Sequence, residues 1–454
     1  MENSGHYGFV VDAAMAGWYP LCFVLFMLLP PARAVAAGLV TGFLLLPNVV
    51  YDLPGMPNYD KSLAIVLGVS VAAITCDPAR FLAFRPRAID LPVLVLCLSC
   101  YLSAVVNGDG AYRGVSNAFD FLVRWALPWF LGRLYFGEFE AQKYLALALI
   151  AGALVYVPFA LWEVKMSPQL HREFYGVMLR SFKHARRAHG LWRPNVFVSH
   201  GLAYALYNSL AALCAFWLWH TKSVLRMWTI PMGVVVSALF FMTIAAQSSN
   251  AILLLGLGIA CLLLATRHRL AFPLFLLVLV PPVYVTLRQG LRWDGEELVA
   301  VAESVFGKTR AESLTVRIES EKELRDKVLA RPWFGYDDFK EFTGNKGREV
   351  EKEEGASPVL VDSRWLLYLG LYGVFSLIGL WGMQLLPPFL LWRKLPPEHW
   401  SHPALAAAAV LGIASLMVTL DGLLNAFEIQ AFTAGAGGVA QLLGTREGRR
   451  LWLG

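Results

Sequence analysis

Apolar runs near the roughly 20 residues needed to cross a bilayer recur along the whole chain. That recurrence constrains the fold more than any other feature. Only 16% of the residues are charged, against about 25% in ordinary soluble domains, and the mean hydropathy is +0.53. The runs fall near 12–30, 34–51, 62–77, 90–107, 119–136, 144–163, 200–220, 228–246, 250–266, 270–287, 363–392, 403–421 and 426–444. They predict an all-α polytopic membrane protein of twelve or thirteen helices. Pro and Gly within the runs ("LLPNVV", "VPFALW", "VLVPPVY") are compatible with membrane helices, whose neighbours re-satisfy the backbone. The start, "MENSGHYGFVVD", has no basic stretch or cleavage site ahead of the first run, so no cleavable signal peptide is expected.

Short basic loops orient the helices. "PARFLAFRPR" (78–87), "KSVLR" (222–226), "RHR" (267–269), "RK" (393–394) and "REGRR" (446–450) all fall on one side, assigned to the cytoplasm. Two longer loops, 164–199 and 288–362, then fall outside. The second alternates acids and bases, with Leu314, Ile318, Leu324 and Val328 at helical spacing, and predicts one or two amphipathic helices lying on the bundle. Three regions result: a bundle over 1–287, the outer loop 288–362, and C-terminal helices over 363–454. The stretch "NKGREVEKEEGAS" (345–357) reads as solvated. All six cysteines lie inside apolar runs, and the Cys97–Cys100 pair has no nearby histidine or second pair, so they read as small packing residues.

The loop 164–199 carries seven Lys/Arg and one acid, Glu173, on the side where basic residues are disfavoured. Arg180, Lys183, Arg186, Arg187 and Arg193 crowd into "RSFKHARRAHGLWRPN" with His184 and His189. Contact with anionic headgroups is one reading; an anion site is the other, since the arginine fork suits phosphate. Arg124 lies inside an apolar run, a placement that costs about 2.5–3.5 kcal/mol on insertion scales. Asp120, four residues earlier, offers a structural partner, and a substrate contact is the alternative. Asp421 and Glu428 bracket the break between the last two runs. In the large loop Arg317 precedes by fourteen residues the turn "RPWFGYDDF" (331–339), and Asp362, Ser363 and Arg364 stand at the mouth of the next run. A carboxylate there suits a general base; capping of the helix start is the ordinary alternative. No P-loop, H-E-x-x-H or G-x-S-x-G occurs, so no nucleotide- or metal-driven mechanism is expected.

These pieces resemble the O-antigen ligase and O-antigen polymerase superfamily over roughly residues 140–440. That family's loop reads R, about fourteen residues, then P-x-x-G-x-G and an aromatic, then a helix with G-[LIV]-x-G. The matching positions here are Arg317, Pro332, Gly335, Phe339, Gly370 and Gly373. The family's R-x-x-G followed by P-N is matched by Arg187, Gly190, Pro194 and Asn195. Two positions depart: the ligases' histidine at the mouth of the later helix is replaced by "VDSRW", and an "S-R-G" start by "QSSNAI", leaving Asn250.

The resemblance implies a C-type membrane glycosyltransferase fold in a bacterial inner membrane, with its active site facing the periplasm. It implies transfer of a glycan from undecaprenyl pyrophosphate to a hydroxyl acceptor, glycan or lipid, with inversion and no cofactor. No nucleic-acid partner is expected. Arg187, Arg193 and Arg317 would hold the pyrophosphate, and Asp362 would be the base, with His189 and His200 as the other candidates. Arg124 and Arg364 would contact substrate. A transporter or flippase of lipid-linked glycans is the alternative; it would be expected to show inverted repeats and helices broken at mid-membrane, and no internal repeat is visible. A non-catalytic assembly scaffold is the second alternative.

Overall fold

The computed structural model describes residues 7–52, 57–179, 185–186, 190–344 and 361–444, together with the backbone but not the side chains of 306, 309 and 310. Arg180, Lys183, His184, Arg187, His189, the stretch 345–357 and the tail 446–450 lie outside the described residues. Among the described residues the chain forms α1 (Phe9–Leu28), α2 (Pro31–Leu45), α3 (Lys61–Cys76), the short α4 (Pro78–Leu82), α5 (Leu91–Val106), α6 (Gly110–Phe121), α7 (Leu127–Tyr135), α8 (Phe139–Met166) and α9 (Leu170–Tyr175). Then follow α10 (Gly201–His220), α11 (Met232–Ala245), α12 (Ser249–His268), α13 (Phe272–Val285), α14 (Glu296–Phe306), α15 (Lys308–Ala330), α16 (Phe339–Thr343), α17 (Arg364–Lys394), α18 (Ala406–Asp421) and α19 (Gln430–Gly444). Two minimal antiparallel hairpins complete it: β1 (Val50–Tyr51) with β2 (Tyr59–Asp60), and β3 (Arg226–Met227) with β4 (Ile230–Pro231).

Seven of these stretches are long and apolar enough to cross a membrane: 9–28, 88–106, 139–166, 201–220, 249–268, 272–290 and 364–394. Four shorter apolar helices, α2, α3, α11 and α18, stand among them. The chain is a multi-pass, all-α membrane protein. Burial sorts the helices into an inner and an outer set. Every residue of α18 is buried, as is nearly all of α10, whereas α5, α11 and α13 turn Leu94, Leu98, Phe241, Ile244 and Leu276 outward. Outward apolar side chains on a helix are what lipid tails solvate.

Close backbone approach holds the centre together. A Cβ on Gly132 of α7 would lie 1.9 Å from the Ala434 carbonyl oxygen of α19, and one on Gly437 2.3 Å from that of Trp129. Small residues permit such contact, the main source of helix association in lipid.

Two features depart from the sequence reading, and one agrees with it. The segment read as a loop at 108–118 is largely α6, which runs through a wide π turn (Leu122–Ala126) into α7. Pro128 just beyond has no N–H to give that turn, which accounts for its widening. The large loop does hold helices, α14 and α15, and α15 buries Ile318, Leu324 and Val328, whereas Leu298, Val301 and Val305 of α14 are exposed. Finally, the turn at 331–338, read as an ordinary loop turn, is a wedge, and α17 is broken to receive it.

At the break Gly373 has φ 76° and ψ −175°. Tyr336 N–H donates to the Gly370 carbonyl (3.0 Å), Asp337 N–H to that of Leu371 (2.8 Å), and Val374 N–H to that of Pro332 (2.8 Å). Ser376 Oγ donates to the carbonyls of Tyr368 and Gly373. The carbonyls freed by the break thus find partners within the protein, the condition for irregular backbone at membrane depth. Arg113 Nε (2.7 Å) and Asn117 Nδ2 (2.6 Å) of α6 hold the Asp337 carboxylate, fixing the wedge from the other side.

Candidate functional site

Contacts divide the loops between two ends of the bundle. At one end Arg133 reaches Asp90 and Gln441, Ser223 donates to the Pro403 carbonyl and Arg269 pairs with Glu398. Among the described residues, that end carries the compact basic loops at 78–87, 222–226, 267–269 and 393–394. The opposite end gathers the starts of α3, α10, α12, α17 and α19 with the described parts of 164–199 and with α15.

The loop following α8 is organised by one buried carboxylate. Glu163 accepts from the backbone N–H groups of Leu170 (3.0 Å), Asn195 (2.8 Å) and Val196 (2.7 Å), joining the two described ends of the loop into one unit. Arg193 is buried in this unit. Its guanidinium donates to the carbonyls of Gln247 (2.9 Å) and Ala246 (3.4 Å), tying the loop to the turn ahead of α12. His171 is equally built in: its Nε2 accepts from Asn48 N–H (3.0 Å), so Nδ1 donates to the Val177 carbonyl (2.7 Å).

Burial, reinforced by nearby Lys61, pushes the His171 imidazole down from 6.5 to about 4. The neutral ring is therefore the folded form. Its stabilisation is complete above the unfolded value of 6.5 and is lost as pH falls from there through 4, up to about 3 kcal/mol in all. Thermal melts at pH 7.5 and 4.5 test this. The wild type is expected to lose more stability over that interval than His171→Gln, and equal losses would refute it.

Arg317 and Asp362 meet at the partly exposed surface of this end. Nη2 of Arg317 lies 3.6 Å from Asp362 Oδ2, and Nη1 donates to Ser313 Oγ at 3.0 Å. Ser363 occupies the N-cap of α17 without a side-chain capping bond. Arg364, by contrast, points inward: it is 2% exposed, donates to the Phe427 carbonyl and packs over Trp125 at 5.4 Å. Its Nε and Nη1 are buried without hydrogen-bond partners. Asp421 accepts from Asn250 (2.6 Å) and Asn425 (2.9 Å) and lies within electrostatic range of Arg364 and Arg317. Asn250, which stands where the resembling family often has arginine, thus orients a buried carboxylate. His200 caps α10 through Nδ1, which accepts from Leu202 N–H (2.9 Å), and its ring stacks on Phe427 at 5.4 Å.

Arg124 sits at the hub of the acidic side. It donates to Asp120 (2.8 Å) and Asp60 (2.7 Å) and lies 3.5 Å from Glu428. The partner expected from Asp120 is present, with two more carboxylates from distant parts of the chain. Beside this hub opens a cavity of about 380 Å³ between the end of α2, the starts of α3 and α10, and the segment leading into α19. Asp60, Lys61, Arg124, Glu428 and Gln430 line it with Phe427.

Of the expected site residues, the structure brings Arg317, Asp362, Arg364, Arg124 and His200 to this end, with Arg193 in the adjoining loop. Arg187 and His189 lie outside the described residues. Sequence reasoning passed over Asp60, Lys61, Gln430 and Glu163. The signal for Asp60, Lys61 and Glu163 was a polar residue at the end of an apolar run, and for Gln430 an amide just inside the last one; each reads as an ordinary boundary until the ends are assembled. No family model matches the chain, and a search of curated proteins finds no match.

Proposed function

We propose that this protein transfers a glycan from a polyprenyl pyrophosphate carrier to a hydroxyl acceptor, polymerising or ligating polysaccharide at the outer face of a bacterial inner membrane, which its twelve or thirteen helices cross. The observation that carries the reading is the pairing of Arg317 with Asp362 at the mouth of α17, on the end opposite the compact basic loops. The resemblance described above supports the same assignment. So does the structural use of Pro332, Gly335, Gly370 and Gly373, four positions of the resembling pattern that form one wedge and its socket.

In this reading Arg317, with Arg187, holds the pyrophosphate. The acceptor oxygen attacks the anomeric carbon as the bond from that carbon to the phosphate oxygen breaks. Arg317 stabilises the charge gathering on the departing pyrophosphate. Asp362, 3.6 Å from Arg317, is freed as the guanidinium turns to the donor, and takes the acceptor's proton. Direct displacement inverts the anomeric centre. Arg193 serves by tying the described end of the loop ahead of α10 to the turn before α12, through the Ala246 and Gln247 carbonyls.

The test is turnover by the purified protein in lipid nanodiscs, supplied with a polyprenyl-pyrophosphate oligosaccharide and a chelator. Release of free polyprenyl pyrophosphate together with a lengthened or conjugated glycan is expected. Intact donor after prolonged incubation with a matched acceptor, or movement of the donor between leaflets without bond cleavage, would overturn the proposal.

A further inference from the structure

The cavity beside Arg124 has a composition that selects its occupant. Two cations, Lys61 and Arg124, and two carboxylates, Asp60 and Glu428, line it, so their formal charges cancel. Arg124 is already committed to three carboxylates, with Asp120 as the third. A dianion would meet no surplus of positive side-chain charge here and would face the Asp60 and Glu428 oxygens.

The polar groups instead alternate between donors and acceptors. Gln430 is 1% exposed, and both its amide oxygen and nitrogen are buried without a hydrogen-bond partner while the residue lines the cavity. Leaving such a group unmatched costs about 1–3 kcal/mol, a cost that a bound molecule able to donate and accept at once would remove. Lys61 donates to the Phe197 carbonyl at 2.8 Å, which leaves its nitrogen at least one further N–H for another acceptor. Phe427, its ring backed by His200, adds an apolar face. The volume lies at the lower end of the roughly 300–1,000 Å³ of ligand pockets.

We infer that this cavity binds an uncharged sugar ring, whose hydroxyls pair with Gln430, Glu428, Asp60 and Lys61 and whose apolar face lies toward Phe427. The inference rests on the transferase reading for the sugar's role as acceptor, and on the cavity alone for its chemistry.

The experiment uses the full chain in nanodiscs and methyl glycosides of neutral hexoses and N-acetylhexosamines, observed by saturation-transfer NMR. At least one glycoside is expected to bind the wild type. Its Kd should rise about tenfold in Gln430→Leu, the scale of one lost buried hydrogen-bonding group. Ala426→Trp, which fills the cavity from its wall, should abolish binding while the melting temperature and elution profile report folding. Inorganic pyrophosphate should not displace the glycoside. Absence of any glycoside signal, signals unchanged in both variants, or displacement by pyrophosphate would each overturn the inference. Sugar binding without glycan transfer would sink the proposed function and leave this site standing; transfer with sugar contacts unaltered in both variants would do the reverse.

Discussion

Arg317→Ala is expected to lower turnover by about 10²–10³-fold, the usual cost of removing one preorganised group that stabilises transition-state charge. Stability should change little. The Arg317–Asp362 pair is partly exposed, its side chains 17% and 34% accessible, and such pairs contribute at most about 1 kcal/mol. The contrast between the two readouts gives the prediction its force. An arginine that merely tied α15 to α17 would show a stability loss and little kinetic effect. Arg317→Lys should fall between wild type and alanine, because an ammonium keeps the charge but not the paired donors of the fork. The measurement is kcat for glycan release beside melting temperature for each variant. Alanine activity within threefold of wild type would remove Arg317 from the site. Arg133→Ala provides the opposite control. Its guanidinium is buried between Asp90 and Gln441 at the other end of the bundle, so that change should harm folding.

Gly373→Ala is expected to destabilise the fold by at least about 3 kcal/mol, enough to abolish the monodisperse protein in many preparations. Two independent terms act. The backbone there, at φ 76° and ψ −175°, belongs to a region almost closed to L side chains. An added Cβ would also stand 2.0 Å from the Trp333 carbonyl oxygen. That oxygen belongs to backbone held on both sides of the break, by Val374 N–H on Pro332 and by Tyr336 N–H on Gly370, and has no room to retreat. Gly335, at φ 67° with the Leu371 carbonyl carbon 2.4 Å from its would-be Cβ, is the matching position on the wedge. Gly256→Ala of α12 is the control: nothing lies within 4 Å of that Cβ, and alanine in a helix interior is favoured over glycine. Size-exclusion profiles and thermal melts of the two variants decide the matter, and a Gly373→Ala protein that melts with the wild type would refute the wedge-and-socket account.

How far the fold was legible follows from the same positions. Apolar runs of bilayer length dictate helices whatever surrounds them, because lipid offers the backbone no partners. The helices at 61–76, 201–220 and 406–421 accordingly lie within a few residues of the runs that announced them. The helical spacing of Ile318, Leu324 and Val328 likewise announced the buried face of α15. Local pattern carries such information because each run's response to lipid or to the bundle surface depends on its own side chains. It was missed at 110–121: "GAYRGVSNAFDF" divides its apolar and polar residues between two faces of a helix, yet it is too polar to register as an apolar run. There, packing on α5 and the wedge decided the outcome.

The site shows the same division. The types of its charged residues and the order of "RPWFG" and "GLYG" along the chain are matters of sequence. The grouping of Asp60, Arg124 and Glu428 is not, for Asp60 lies 64 positions from Arg124, and Glu428 comes hundreds of residues later. The same holds for Arg193 and Arg364, which were expected to touch substrate as Arg317 was expected to act on it. Only the folded backbone offered the first two buried carbonyls and left the third facing a carboxylate at the surface. Sequence by itself determined that this chain is helical and embedded in a membrane, since those properties arise from each segment's own contact with lipid. Tertiary structure alone decided which charges meet and where a polar cavity is left between them, because those contacts join helix ends that local pattern cannot bring together.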